Sequence, residues 1–195
     1  MPYPEWFQNN GRPPIADLGE GNPNEIFRLV GEVCTFWSMV DENLTDVFCA
    51  IIGKSFGGNV NLESSIAILA SQNVVDGRLR LLKDQVDVAF KFDPDGLKST
   101  KLLLGKIEKT KVLRNNIVHG LVRNNNNLPA GQQYVLMPPL YRFSHSTPWN
   151  GGPKSNDWMK PKALGFQYNL TILSEILNCI QAVRQDIQTW RNNLA

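Results

Sequence analysis

The feature that most constrains the fold of this chain is a stripe of apolar residues at helical spacing between Glu25 and Ile52. Its members are mostly three or four residues apart, which is the repeat of one face of an α-helix. The stripe consists of Ile26, Leu29, Val30, Val33, Trp37, Val40, Leu44, Val47, Phe48 and Ile51. The pattern predicts one long amphipathic helix, which Gly53 and the pair Gly57-Gly58 should end.

The same kind of spacing predicts three further helices. The second runs from about Leu62 to Phe90 with Asn61 as its N-cap, and the third runs from about Leu97 to His119 after the turn Asp93–Gly96. The fourth, from about Leu170 to Asn192, has the most regular stripe in the chain. We therefore expect a mainly all-α fold, an up-and-down bundle of about four long helices.

The remaining segments define the domain organisation. Residues 1–24 contain Pro, Gly and Asn and predict an irregular N-terminal arm. Residues 25–195 predict a single helical domain, because the chain is long enough for one full core and too short for two generous ones. Within it, residues 124–168 predict an insertion with a small β-hairpin before the last helix, since a structureless loop of this length is uncommon.

The insertion contains β-like runs at Gln133–Met137 and Leu140–Phe143, which predict the hairpin, and Ala163–Tyr168 is a candidate further strand. Two interpretations of its aromatic side chains remain open: they stack on nucleic-acid bases, or they form a small satellite hydrophobic cluster, which we favour. These side chains are Tyr134, Tyr141, Phe143, Trp149 and Trp158.

Several classes of protein are not expected from this composition. No apolar run reaches the roughly 20 residues of a membrane helix, and no secretory leader is evident, so we expect no membrane partner. The three cysteines lie within helical patterns, which predicts free thiols and a cytoplasmic protein. Metal-ligand spacings such as CxxC and HxxxH do not occur, so we expect no metal and no cofactor.

Charge is segregated along the chain although its net value is only +2. Between Glu20 and Ile52 there are six acids and one base, whereas between Leu97 and Arg123 there are seven bases and one acid. The basic segment could face a polyanion. Alternatively, the two segments could pack together and balance each other, which is the interpretation we favour.

Arg114 interrupts the apolar face of the third helix. At 100° per residue it lies in line with Leu103, Ile107 and Leu121. A guanidinium keeps its charge, so a position on that face requires an anionic partner or a wet cleft. One interpretation is a salt bridge to the first helix, and another is that this end of the helix faces solvent. The candidate acids on the first helix are Glu32, Asp41 and Asp46.

The residues that follow Arg114 supply the parts of a chemical site. Asn115 and Asn116 are amide donors at positions where Asn disfavours a helix interior. His119 precedes Gly120, a typical helix terminator, and the helix dipole there favours imidazolium. Such groups can bind a phosphodiester and move its protons. Arg114 and His119 lie about 140° apart around an ideal helix, so one site needs a substrate between them, a distorted helix or two copies across a dimer axis.

The run Leu113-Arg114-Asn115-Asn116-Ile117-Val118-His119-Gly120 resembles the signature of the HEPN superfamily of helical nucleases and nucleotide-binding domains. That signature is an Arg with a polar residue directly after it, followed four to six residues later by His. The resemblance covers about Glu25 to Asn192 and implies a helical bundle with the motif late in one helix. The insertion at 124–168 departs from a minimal bundle of this kind.

The resemblance implies a metal-independent endoribonuclease that forms a homodimer with two motifs in one cleft. Arg114 would hold the scissile phosphate, His119 would act as general base or acid when the RNA 2′-OH attacks, and Asn115 would orient either the Arg or the phosphate. The product would be a 2′,3′-cyclic phosphate. Further substrate contacts are expected from Asn116, Lys111 and Arg123.

The expected partners are RNA and a second copy of the chain, and an antitoxin if the protein is a toxin or an antiviral defence component. The alternative is a non-catalytic HEPN-like module that binds a nucleotide, RNA or a protein. A third interpretation makes Arg114 a buried ion-pair residue and the resemblance accidental. Whether the protein is an enzyme therefore stays open in the sequence.

Overall fold

The computed structural model describes residues 3–9, 11–56, 61–72, 75–137 and 166–193. These residues form a helical bundle with one two-stranded antiparallel sheet, so the predicted mainly all-α fold with a small hairpin is confirmed. The elements in chain order are α1 (Glu5–Asn9), α2 (Pro23–Ser55), α3 (Leu62–Ala70), α4 (Val75–Ala89), α5 (Pro94–Val118), β1 (Leu121–Asn124), β2 (Tyr134–Met137) and α6 (Leu170–Asn192). Among the described helices, none is long and apolar enough to cross a bilayer.

Helix α2 is the central helix, and its apolar stripe forms one side of the core. Every predicted member of the stripe is buried except Val30, which is half-buried. The helix begins where Asn22 accepts a hydrogen bond from the backbone N–H of Asn24 (3.0 Å) and Pro23 occupies the first turn. It continues through Gly53 to Ser55, and Lys54 in its last turn pairs with Asp93 across the bundle end (2.6 Å).

The predicted helix Leu62–Phe90 is wrong as one element, because the structure divides it into α3 and α4. Asn61 caps α3 as predicted and accepts from the backbone N–H of Ser64 (3.1 Å). Arg78 then explains the break. Its Nε donates to the carbonyl of Gln72 (3.2 Å), and its Nη1 donates to Asp41 on α2 (2.8 Å). This side chain therefore links α4 both to the end of α3 and to α2.

Contacts between charged residues show the direction of each helix. α4 and α6 run parallel to α2, and α5 runs antiparallel to them. The short α3 connects the end of α2 to the start of α4 along the side of α2. The bundle is therefore up-and-down with one short member. The pairs are Arg78–Asp41 and Lys54–Asp93, then Lys83–Glu108 and Lys111–Asp76, then Lys106–Asp186 and Arg191–Asp46.

The N-terminal arm packs on the bundle, and its described residues that precede α2 form no helix other than the short α1. Its helix α1 lies against α5 and α6, and Phe7 is 2% exposed. The Tyr3 hydroxyl donates to Asp186 (2.7 Å), and the indole N–H of Trp6 donates to Glu175 (2.8 Å). These two contacts join residues more than 160 positions apart in the chain. The composition of the arm therefore could not indicate them.

The hairpin contains one predicted strand and one strand that the sequence did not predict. β2 coincides with the predicted run Gln133–Met137, but its partner is β1 at Leu121–Asn124, with Val122 opposite Leu136. The run Leu140–Phe143 lies outside the described residues. α5 ends at Val118 with His119 as its C-cap, and β1 begins two residues later at Leu121. On its other edge β2 forms single bridges with Glu20 and Tyr168, and Tyr168 is the described end of the candidate strand Ala163–Tyr168.

We expect the substitution Phe7→Ala to lower the free energy of unfolding by about 3–5 kcal/mol, because it empties a buried aromatic site. The matched control is Phe92→Ala, since Phe92 is 91% exposed and its removal should change stability by about 0.5 kcal/mol or less. Urea unfolding followed by circular dichroism measures both. Equal, small effects would show that the arm is detached from the core in solution.

Candidate functional site

The C-terminal end of α5 forms a helix cap. His119 is the C-cap residue, and its backbone N–H donates to the carbonyl of Asn115 (3.1 Å). The N–H of Gly120 donates to the carbonyl of Ile117 (3.1 Å). A Cβ on Gly120 would lie 2.9 Å from Leu136 Cγ, so the packing of the hairpin against this end requires glycine. The imidazole of His119 is exposed at the end of the helix.

Arg114 is half-buried, and its guanidinium has few partners. Its Nη1 donates to the side-chain oxygen of Asn115 (3.1 Å), whereas its Nε is buried and has no hydrogen-bond acceptor. Because the Asn115 oxygen is engaged in this bond, the Asn115 amide presents its NH₂ group to the surroundings. The first turn of α4 lies beside Lys111, because Asp76 in that turn bonds to the Lys111 ammonium. Arg114 lies about one helical turn further along α5.

The salt bridge between Arg114 and the first helix is not formed. Each of the three candidate acids pairs with a different arginine, and Arg114 has no ion pair with any described residue. The observed pairs are Glu32 with Arg28, Asp41 with Arg78, and Asp46 with Arg191. A half-buried cation therefore lies at this end of the bundle without a counter-ion from the described part of the chain.

Most lysines of α5 form ion pairs or hydrogen bonds with other residues of the chain. The ammonium of Lys101 bonds to Asp87 (2.7 Å) and that of Lys106 to Asp186 (2.6 Å). Lys109 donates to the carbonyl oxygens of Phe7 and Gln8 (2.9 and 3.0 Å). The favoured interpretation, in which the basic and acidic segments neutralise each other, is therefore not what the structure shows: the bases of α5 pair with α1, α4 and α6.

The predicted substrate-binding residues differ in their surroundings. Lys111 has a side chain that is only 13% exposed and is paired with Asp76. Asn116 donates from Nδ2 to the Tyr168 hydroxyl (3.4 Å). Arg123 lies on β1 opposite Val135, and its buried Nε has no acceptor. Arg114 and Arg123 therefore both lie near the junction of α5 and the hairpin with a buried Nε that has no acceptor, and neither has an ion pair with a described residue.

The structure adds Tyr168, which the sequence did not indicate as a site residue. Tyr168 is 1% exposed, and its ring stacks on Phe166 with centroids 4.7 Å apart. Burial raises the pKa of Tyr168, and the hydrogen bond from Asn116 opposes this more weakly. The hydroxyl therefore stays protonated at neutral pH. A tyrosine before a helix start carries no sequence signal for such a contact, because the partner is 52 residues away.

Arg114, Asn115 and His119 are thus brought to one helix end, but no hydrogen bond joins Arg114 to His119. Two surface cavities lie elsewhere: one of about 450 Å³ at the start of α5, beside Pro94 and Leu102, and one of about 210 Å³ between α2 and α6. Within the described residues, no three side chains of His, Cys, Asp or Glu are grouped so that they could hold a metal ion.

No family model, no curated protein and no solved structure matches this chain.

We expect Arg114→Met to lower the free energy of unfolding by less than about 1 kcal/mol, because no described acid loses its partner. The matched control is Arg78→Met, which leaves the half-buried Asp41 unpaired and should cost about 1–3 kcal/mol. Both substitutions keep an aliphatic stem, and urea unfolding measures the difference. A loss for Arg114→Met equal to that for Arg78→Met would show that Arg114 is a structural ion-pair residue.

Proposed function

We propose that this protein is a metal-independent endoribonuclease of HEPN type whose site is built on Arg114, Asn115 and His119. The observation that carries the proposal is the half-buried guanidinium of Arg114, which has no ion pair among the described residues. A cation in this position is stabilised by an anionic partner, and a phosphate of RNA supplies one. The exposed imidazole of His119 at the same helix end supplies a group that can carry a proton.

In the proposed reaction the guanidinium of Arg114 binds the non-bridging oxygens of the scissile phosphate. The charge that develops on those oxygens is stabilised by this cation and by the NH₂ group of Asn115. His119 removes the proton from the ribose 2′-OH, the O2′–P bond forms, and the P–O5′ bond breaks. An acid returns a proton to the leaving 5′-oxygen. The products are a 2′,3′-cyclic phosphate and a 5′-hydroxyl end.

Two protomers suit this chemistry better than one. Arg114 faces the bundle and His119 is exposed at the cap, with no hydrogen bond between them. A homodimer that joins two such helix ends would place the Arg114 of one copy beside the His119 of the other. In each composite cleft that His119 acts as the base, and a water molecule supplies the proton for the leaving 5′-oxygen. Arg123 and Asn116 lie near this end and are proposed contacts to the RNA backbone, as is Lys111 once its pair with Asp76 opens.

The biological role proposed here is that of a cytoplasmic toxin or antiviral defence enzyme, with an antitoxin as a candidate partner. The free state of Cys34, Cys49 and Cys179 suits a reducing compartment. The defence role rests on the resemblance of the motif alone.

A second candidate function is a non-catalytic module that binds a nucleotide, RNA or a protein partner. The favouring observation is that Arg114 and Asn115 already form a bonded pair in one chain, whereas His119 is held against neither. Such a pair is sufficient to bind a phosphate. Tight binding of a single-stranded RNA by the wild-type protein without any cleavage would favour this candidate over the nuclease.

We expect Arg114→Ala and His119→Ala each to reduce cleavage of single-stranded RNA in EDTA by at least about 10²-fold, because each removes a charge-stabilising or proton-transferring group. A fluorescent oligonucleotide assay measures the rate, and mass spectrometry of the product tests for the cyclic phosphate. The matched control is His145→Ala, which removes the other histidine of the chain. Cleavage that persists in a variant with both substitutions would exclude this site.

Mixing the two inactive variants provides a test of the dimeric site. If each cleft takes an Arg114 from one copy and a His119 from the other, a mixture of Arg114→Ala and His119→Ala protomers contains heterodimers with one intact pair. We expect part of the wild-type rate to return after the two proteins are unfolded and refolded together. A mixture as inactive as its components would show that each chain builds its site alone.

A further inference from the structure

The last turn of α5 also has contacts with the hairpin and with the segment just before α6. The first turn of α4 meets α5 at Lys111, through Asp76. Beyond that level, Gly120 packs against Leu136 of β2, and Asn116 bonds to Tyr168 just before α6. The segment that carries Arg114 and His119 thus has a packing contact and a hydrogen bond on the side of the hairpin.

Tyr168 is fixed by backbone hydrogen bonds and by the packing of its ring. Its backbone N–H and carbonyl both bond to Leu136 (3.0 and 2.9 Å), and its ring is buried and stacked on Phe166. Leu136 is the same residue that contacts Gly120. The hydroxyl of Tyr168 is thus a fixed point relative to the end of α5, and it accepts the hydrogen bond from Asn116.

Asn116 connects Tyr168 to the residues of the candidate site. It follows Asn115, which bonds to Arg114, and it lies three positions before His119 and four before Gly120, so it shares their side of the helix. Holding the Asn116 amide limits the rotation and fraying of the last turn, which would otherwise move the imidazole. A displacement of about 1 Å in a reacting group can cost about 10²-fold in rate.

We propose that Tyr168 is a positioning residue for the Arg114–His119 segment, and that its hydroxyl acts through Asn116 without touching the substrate. This inference rests on the proposed ribonuclease function as far as catalysis is concerned. The hydroxyl transfers no proton in the reaction. Its contribution is to keep the C-cap of α5 in the geometry that places His119 at the 2′-OH.

The test compares Tyr168→Phe with Tyr134→Phe. Both remove one phenolic hydroxyl from the hairpin region, but that of Tyr134 has no hydrogen bond to any described residue. For Tyr168→Phe we expect kcat to fall about tenfold with KM within about twofold, because only the reacting geometry changes. Its melting temperature should fall by no more than about 4 °C. Tyr134→Phe should retain the wild-type kcat.

A second readout does not depend on RNA. The chain has two histidines, so ¹³C-labelled imidazole signals are assigned with one His145→Gln variant. We expect the His119 signal to move in Tyr168→Phe and in Asn116→Ala, and to move no further in the double variant, because both remove the same contact. Tyr134→Phe should leave the signal in place.

The outcomes separate this inference from the proposed function. If wild-type protein cleaves no RNA but the His119 signal moves as expected, the ribonuclease proposal fails while the holding role of Tyr168 stands. An unmoved His119 signal in Tyr168→Phe overturns the inference whether or not RNA is cleaved. A moved signal with an unchanged kcat shows that Tyr168 holds the cap without serving the reaction, and this also overturns the proposed role.

Discussion

Burial of one face of α2 is the constraint on which the rest of the structure depends. Each large apolar side chain of the stripe contributes about 1.5–3 kcal/mol when it leaves water, and such a face cannot be covered by the helix itself. Helices α3, α4, α5 and α6 all pack on α2. The end of this core near the start of α2 is closed by the hairpin and by single bridges at Glu20 and Tyr168.

The distribution of charge then decides which groups remain available for function. The three candidate acids of α2 pair with arginines of α2, α4 and α6. Most lysines of α5 are paired with α1, α4 and α6. Arg114 and Arg123 lie near the same junction and have no ion pair with any described residue. Uncompensated guanidinium groups beside an exposed imidazole are suited to a phosphodiester, which is the physical basis of the proposed function.

The sequence predicted much of the fold because helices are local. Helix α6 has the predicted bounds, and α2 and α5 differ from prediction by a few residues at their ends. The errors arose where a distant residue intervened. Arg78 bonds to the carbonyl of Gln72 where the second predicted helix is divided, and β2 pairs with β1, a strand that the sequence did not predict. Neither contact leaves a periodic pattern in the sequence.

The sequence by itself determined the helical class of the protein, the apolar faces of its helices and the presence of Arg114, Asn115 and His119 near one helix end. Those properties follow from residue spacing of 3.6 per turn and from capping chemistry, which act within a few positions. Only the tertiary structure decided which charges are paired and that Tyr168 reaches Asn116. Pairing depends on which side chains meet across packed helices, and many of those meetings join residues far apart in the chain.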